Sequence, residues 1–315
     1  MTVITEVEGQ RLLREDVAAA RLPRDVVRAT GEDALDYLQG QLSQDLAALG
    51  PGAATYSLVL EPAGKVDAWV RLWRADEDAG GFLLEVEAGA GEALVARLER
   101  FRLRVQVELE LLRWSLVAVR GPATPPVEQL APAAGEGGFA TAVDWAGLPG
   151  VDLLGEHAAV PDGVPEVDAA ALDAVRIEAG RPAMGSELGP DLEPKVIPAE
   201  AGEWLVEQSV SFTKGCYTGQ ELVARVDSRG SNTPRKLRGL VVRGDVVPEP
   251  GTPVVVDGRE RGTVTSAARS AALGAPVALA YVHRSVEPGA TARLGEGPEA
   301  VVQALPLVQG PLAGG

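Results

Sequence analysis

Lys214-Gly215-Cys216-Tyr217-Thr218-Gly219-Gln220-Glu221 gathers an ammonium, a thiol, a phenol, a hydroxyl, an amide and a carboxylate around two glycines. Cys216 is the only cysteine in 315 residues. Thr218-Gly219-Gln220-Glu221 matches a capping box and is followed by Leu222-Val223-Ala224, so a short helix is expected to start there. Cys216 would then lie just before a helix N-terminus, where the dipole and Lys214 both favour thiolate. Gly215 lets the backbone turn tightly or admits a ligand. A lone cysteine is by default a small buried hydrophobe; polar, glycine-rich neighbours argue against that here. His157 and His283 are the only histidines, and neither is close in sequence to act as a base. With Cys216 they make no metal-ligand spacing, which argues against a zinc site and against a Ser/His/Asp triad. No P-loop or GxGxxG follows a strand.

On the N-terminal side of this stretch, residues 184–198 are irregular, with prolines at 190, 194 and 198. Before them, Val167–Ala179 reads as a helix with Leu172, Val175 and Ile177 inside. Gly180 is its left-handed stop and Pro182 blocks continuation. Glu178 sits beside the negative end of that helix, which an ordinary surface position explains poorly. On the C-terminal side, Arg229-Gly230 and Pro234 close the stretch. Short strands follow at 236–242, 253–256, 262–267, 277–282 and 300–305, with Asp257-Gly258 as a hairpin turn. They predict a small β-barrel or sandwich.

Further out, Val26–Thr30 reads as a strand, and a helix is expected from Thr30, with Leu35, Leu38 and Leu42 on one face. Gly40, costly inside a helix, suggests a break or a close approach. Strands are expected at 55–60 and 66–73, joined by Glu61-Pro62-Ala63-Gly64-Lys65, and at 82–86 after Gly80-Gly81. Asp67 falls just past the glycine turn, where a carboxylate faces either a cleft or solvent. A helix at 90–101 carries Leu94, Leu98 and Phe101 on one face. Leu103, Val105, Val107, Leu109 and Leu111 alternate with polar residues as a half-buried strand would, and 114–119 reads as another. These strands around one helix suggest a ferredoxin-like α+β layer. Residues 121–138 read as loop, with order resuming at 139–145 and 151–154.

Hydrophobic residues make up 46% and charged residues 23%, as in ordinary globular proteins. No stretch approaches the roughly 18 apolar residues of a membrane span. Met1–Gly9 lacks an apolar core, and a single cysteine excludes a disulfide framework, so a cytoplasmic location is expected. The net charge of −16 disfavours direct nucleic-acid binding.

The octapeptide, continued by Val223-Ala224-Arg225 and Arg229-Gly230, resembles the signature of the YgfZ-type folate-binding proteins, within the wider aminomethyltransferase superfamily of the glycine cleavage T-protein. Tyr37-Leu38-Gln39-Gly40-Gln41-Leu42-Ser43-Gln44-Asp45 is similar to that family's N-terminal helix segment, Gly64-Lys65-Val66 to its hairpin, and Arg176-Ile177-Glu178-Ala179-Gly180-Arg181-Pro182 to its "R-I-E-A-G-x-P" segment. The resemblance implies an α+β fold, a three-domain ring of the aminomethyltransferase type. Its parts would be a discontinuous folate-binding domain (1–50 plus 140–232), a ferredoxin-like domain (51–139) and a C-terminal β-barrel (233–315). It implies tetrahydrofolate, or a derivative, as the ligand. It also implies a role in iron–sulfur cluster assembly or repair, with Fe–S assembly factors or Fe–S client enzymes as partners, tRNA-modifying enzymes among the clients.

Carried over by position, Glu178 matches a glutamate that contacts the pterin, and Asp67 the hairpin aspartate. In aminomethyltransferases this turn is followed by paired aspartates, one of them catalytic. Here Asp67 precedes Ala68, which leaves Asp67 as a folate contact. Tyr217, Gln220, Glu221 and Arg225 complete the expected folate-binding set. Cys216, with Lys214, is the expected reactive group, a redox or cluster-handling thiol. Two other readings stand beside this one: a folate-dependent aminomethyltransferase, and a non-catalytic partner-binding protein.

Overall fold

The computed structural model describes residues 4–75, 81–228, 230 and 232–312. Gly80 of the expected strand opening and Arg229 of the motif lie outside the described residues. In chain order the strands are β1 (Ala18–Thr30), β2 (Ala54–Leu60), β3 (Val66–Arg74), β4 (Phe82–Glu87), β5 (Glu108–Arg120), β6 (Phe139–Trp145), β7 (Leu148–Gly155), β8 (Glu166–Val167), β9 (Arg235–Val242), β10 (Pro253–Val256), β11 (Arg259–Ser270), β12 (Ala275–His283), β13 (Thr291–Leu294) and β14 (Glu299–Gln303). The helices are α1 (Glu6–Glu15), α2 (Ala34–Gln41), α3 (Gly91–Glu99), α4 (Val127–Leu130), α5 (Ala169–Glu178), α6 (Pro198–Ala201), α7 (Glu203–Ser209) and α8 (Gln220–Asp227). The chain packs as two units, one of Met1–Leu22, Ser115–Pro182 and Pro234–Gly315, the other of Pro23–Trp114 and Ala183–Thr233.

In the first unit β5, β7 and β6 form antiparallel pairs, and β8 lies parallel to the start of β1. Thr5 caps α1 by accepting the Glu8 N–H, and Asp168 caps α5 by accepting the Ala170 N–H. The two helices pack closely through Gly9, where a Cβ would come within 3.0 Å of the Ala171 Cβ. Gly180 stops α5 at φ 71°, as the sequence requires.

The same unit holds a closed barrel in the order β10-β11-β12-β9-β14-β13. Alternating residues such as Leu240, Val242, Val254, Ala280 and Val302 fill its interior. Asp257 and Gly258 both take positive φ, 50° and 70°, the conformation a two-residue hairpin loop needs. Strand β13 closes the barrel against β10 and was not foreseen; at four residues it is too short to show alternation.

In the second unit the strand order is β2-β3-β4-β1-β5. Helices α2 and α3 cover one face through Leu38, Leu94 and Leu98, joined by Leu42 just past the end of α2. Each such buried leucine contributes roughly 2 kcal/mol. Helix α7 packs on β2. The second face of β3 is buried too, so Trp69, Arg71 and Trp73 are inside although they alternate with the apolar set.

Several expectations need correction, among them the loop at 121–138, which holds α4 at Val127–Leu130. Residues 103–111 and 114–119 are not two strands: one strand runs from Glu108 to Arg120. Arg104 at φ 58° breaks extended structure before it, and Leu103 is 77% exposed. Asp33 is the N-cap of α2 and the helix has no side-chain cap bond, so Thr30 does not cap it. Gly40 lies one residue before the end of α2, where a break was expected, and its carbonyl accepts the Thr218 N–H, but a Cβ there would meet nothing within 4 Å, so packing does not require the glycine.

Candidate functional site

The last turn of a helix leaves carbonyls without intrahelical partners. At the end of α2 they are met by one side chain. Lys214 Nζ donates to the carbonyls of Gln39 at 2.7 Å, Leu42 at 2.7 Å and Gln44 at 2.8 Å. The ammonium thus satisfies orphan acceptors and complements the negative helix end. Burial pushes its pKa from 10.5 down to about 8, and the Asp45 charge opposes the fall. The Tyr217 ring centroid lies 5.4 Å from the same nitrogen.

The segment under this clamp is itself ordered. Gln39 Nε2 donates to Asp45 Oδ1 at 2.8 Å, while Gln39 Oε1 accepts the Leu46 N–H at 2.9 Å. That bond from Gln39, followed by the Ala47 N–H, holds the Asp45 carboxyl below its usual range. Two backbone bonds tie the octapeptide region to the same turn, Ser211 N–H to Ser43 O and Thr218 N–H to Gly40 O.

Lys214 and Tyr217 are therefore partly buried anchors, and Gly215 and Cys216 arch out between them, both exposed. All three Lys214 donors are committed to carbonyls, so its hydrogen bonds go to the end of α2 and not to the Cys216 thiol. The capping box is also not formed. Gly219 occupies the N-cap in the left-handed region, φ 85°, and Thr218 makes no cap. Gln220 turns back, its Oε1 accepting the Tyr217 N–H at 3.2 Å. Glu221 and Arg225 lie on exposed positions of α8.

The hairpin motif comes to the same place. A Cβ on Gly64 would meet the Leu222 Cβ at 2.6 Å, and one on Gly219 would meet the Glu61 carbonyl at 2.6 Å. Three sequence segments far apart in the chain, 37–45, 61–67 and 214–221, are thus one packed cluster. Asp67, at the start of β3, is paired to Arg97 Nε at 2.9 Å, with the two side chains 14% and 10% exposed. Desolvation pushes the Asp67 carboxyl up, and the bond from Arg97 opposes it. Arg97 also donates to Gln41 Oε1 and Leu60 O and stacks over Phe101 at 4.2 Å. Lys195 is paired with Glu61 nearby.

Sequence reasoning missed Arg97, which lies in an ordinary amphipathic helix with no motif. It also missed an aromatic group. Tyr56 stacks on Trp69 at 5.0 Å, and Trp204 meets Trp69 edge-on at 5.9 Å. Trp69 Nε1 donates to Ser209 Oγ, and the Ser209 carbonyl accepts from Ser43 Oγ, which links the aromatics to the segment clamped by Lys214. Tyr56 and Trp204 are only partly buried. The available signal was the excess of aromatics on strand positions 56, 69 and 73.

Glu178 belongs to the other unit. Its Oε2 accepts from Arg14 Nε at 2.6 Å and its Oε1 from Ser270 Oγ at 2.5 Å, and both Arg14 and Glu178 are 1% exposed. Its carbonyl accepts the Leu307 and Val308 N–H groups. The awkward placement read from sequence is resolved by burial against an arginine. Among the described residues no group of three or more His, Cys, Asp or Glu side chains is placed to hold a metal ion. No helix of the described chain is long and apolar enough to cross a membrane.

A family model described as the glycine cleavage T-protein C-terminal barrel domain matches residues 235–307. An aminomethyltransferase of Moorella thermoacetica is 33% identical over 282 residues, which cover 83% of this chain and 71% of that protein. A Haemophilus influenzae protein described as uncharacterized is 28% identical over 246 residues, 77% of this chain and 81% of that one. Among solved structures, the glycine cleavage system aminomethyltransferase T from Bartonella henselae superposes with a TM-score of 0.76 over 98% of this chain and 91% of that chain, at 22% identity. The fold is of the aminomethyltransferase type.

Proposed function

The chain belongs to the aminomethyltransferase family, and from that membership we propose that it is a tetrahydrofolate-binding accessory protein of iron–sulfur cluster assembly or repair. The observation that carries this reading is the exposed Cys216 arched between two partly buried anchors, Lys214 and Tyr217. A thiol presented in this way suits exchange with a partner better than attack on an enclosed substrate. One thiolate does not hold a cluster alone, since clusters usually take four ligands. Cluster contact would be shared with an Fe–S assembly factor or client enzyme, and effects on tRNA modification would be indirect.

The residues near the octapeptide carry groups that a folate would use. Tyr56 and Trp204 offer partly exposed ring surface for a planar pterin. Asp67, Gln220 and Glu221 supply acceptors for its N–H groups, Tyr217 a phenol, and Arg225 a cation for the glutamate tail. The folate would supply a one-carbon carrier or act as a ligand that steadies the loop. Glu178, with both carboxylate oxygens engaged, is proposed as a structural acid. The division into a folate-binding domain (1–50 plus 140–232), an α+β domain (51–139) and a barrel (233–315) is part of the same proposal, as is a cytoplasmic location.

A second reading is folate-dependent aminomethyl transfer, favoured by relatives that carry that name. Against it stand Ala68 in place of a second aspartate and the engagement of Asp67 by Arg97. Calorimetric titration with tetrahydrofolate tests the shared part: saturable binding is expected, and its absence in a folded sample would favour a purely partner-binding protein. Release of ammonia from an aminomethyl-lipoyl carrier separates the two. No turnover is expected, and tetrahydrofolate-dependent turnover would establish the second reading.

A further inference from the structure

The segment after α3 departs from the character of the whole molecule. In a chain of net charge −16, residues 97–104 carry Arg97, Arg100, Arg102 and Arg104 against the single acid Glu99. The loop is built rather than loose. Phe101 N–H bonds to Leu98 O at 3.0 Å and Arg102 N–H to Glu99 O at 3.1 Å. Arg102 pairs with Glu99 at 2.8 Å and donates to Val107 O at 2.7 Å. Phe101 lies under the Arg97 guanidinium at 4.2 Å. These contacts hold out what remains. Leu103 is 77% exposed, the highest among the exposed large hydrophobics of the described residues, and lies in sequence between exposed Arg100 and Arg104. Arg104 takes φ 58°, a conformation that non-glycine residues adopt only where the surrounding structure imposes it.

The turn itself seats Gln106, whose N–H bonds to Asp33 Oδ2 at 2.7 Å, and the side chains it leaves exposed are Arg100, Leu103 and Arg104. Leu103 contributes little burial, and a glycine at 104 would make the same turn without strain. An apolar side chain between two cations complements a segment that carries an apolar side chain between two carboxylates. An extended polyanion, whether a lipid surface or a nucleic acid, would meet the field of the whole acidic molecule. A short peptide meets only charges within a Debye length, about 8 Å at physiological salt. We propose that Arg100, Leu103 and Arg104 form a docking surface for a short acidic, leucine-bearing segment of a partner protein. This inference stands independently of the folate reading.

The test uses the full chain and a fluorescein-labelled peptide in which glutamates alternate with two leucines, followed by anisotropy. Saturable binding is expected, at least tenfold weaker for Arg100→Glu/Arg104→Glu and for Leu103→Asp, and weaker at 300 mM salt than at about 50 mM. A charge-matched control, Arg11→Glu/Arg259→Glu, is expected to bind within about twofold of the parent. Arg104→Gly separates docking from folding: its thermal midpoint should be unchanged or raised while its binding falls. Absence of saturable binding, equal binding by the loop variants and the control, or a loop-dependent preference for phosphatidylserine vesicles over the peptide would each overturn the proposal.

Discussion

Gly64 and Gly219 meet back to back: a Cβ on Gly219 would lie 3.3 Å from the Gly64 Cα and 2.6 Å from the Glu61 carbonyl oxygen. Both take positive φ, 73° and 85°. The β2–β3 hairpin and the octapeptide are held together by the absence of two side chains.

Gly219→Ala should therefore destabilise by about 2–4 kcal/mol, combining left-handed strain with overpacking. Gly215→Ala, where a Cβ meets nothing within 4 Å, should stay within about 0.5 kcal/mol of the parent. Urea unfolding of the two variants checks the contrast. Equal losses would mean that the packing of the two motifs is not what fixes the loop.

Lys214→Met removes three charge-assisted bonds and should cost about 2–3 kcal/mol, since relief of the buried charge offsets part of the loss. Burial sets the folded pKa at about 8 against 10.5 unfolded. Across that window the unfolded chain holds a proton that the folded one has released. The contribution of Lys214 to unfolding free energy therefore rises with pH from about 8 to 10.5 and is flat below. The stability difference between parent and Lys214→Met, measured from pH 7 to 10, should widen accordingly. A pH-independent difference would contradict the depressed pKa.

Arg14 and Glu178, both 1% exposed, form a pair whose rupture leaves a buried charge. Glu178→Ala should cost about 3–5 kcal/mol, and Arg14→Met/Glu178→Leu should recover most of that loss. The double variant is expected to keep tetrahydrofolate affinity. Loss of binding in a folded double variant would restore Glu178 as a pterin contact.

Asp67 is pushed up by desolvation and held back by Arg97. A carboxyl whose folded pKa is raised binds more protons folded than unfolded, so its contribution to stability falls as pH rises through that window. Arg97→Met should raise the Asp67 pKa further and cost about 2–3 kcal/mol. Carboxyl-carbon NMR titration reads the shift. An unchanged Asp67 pKa would show that the pair is not coupled in solution.

Local signals carried much of the fold. Gly180 stops α5, Asp257-Gly258 turns β10 into β11, and the short alternating strands foretold the barrel. The octapeptide and the segments at 37–45 and 61–67 were legible as motifs, but their convergence was not, because it depends on contacts between residues over a hundred positions apart. The capping box at Thr218 failed because tertiary contacts took the turn: Thr218 N–H bonds to Gly40 O, and Gly219 adopts a left-handed cap. The alternation at 103–111 misled for a related reason. Periodicity reports which residues share a face, and cannot register that Arg104 breaks the strand. Arg97 and Trp204 carried no local signal, since an arginine and a tryptophan in short helices are ordinary, and Tyr56 was marked only by the aromatics it shares with strand positions 69 and 73.

In the proposed function, this aminomethyltransferase-type scaffold presents Cys216 to an iron–sulfur partner. The most direct measurement compares the parent and Cys216→Ala in restoring a damaged [4Fe–4S] client enzyme with isotope-labelled iron, using samples that bind tetrahydrofolate equally. Cys216→Ala is expected to lose most of the restoring activity while folate affinity is unchanged. Equal recovery of the client with both proteins would contradict it.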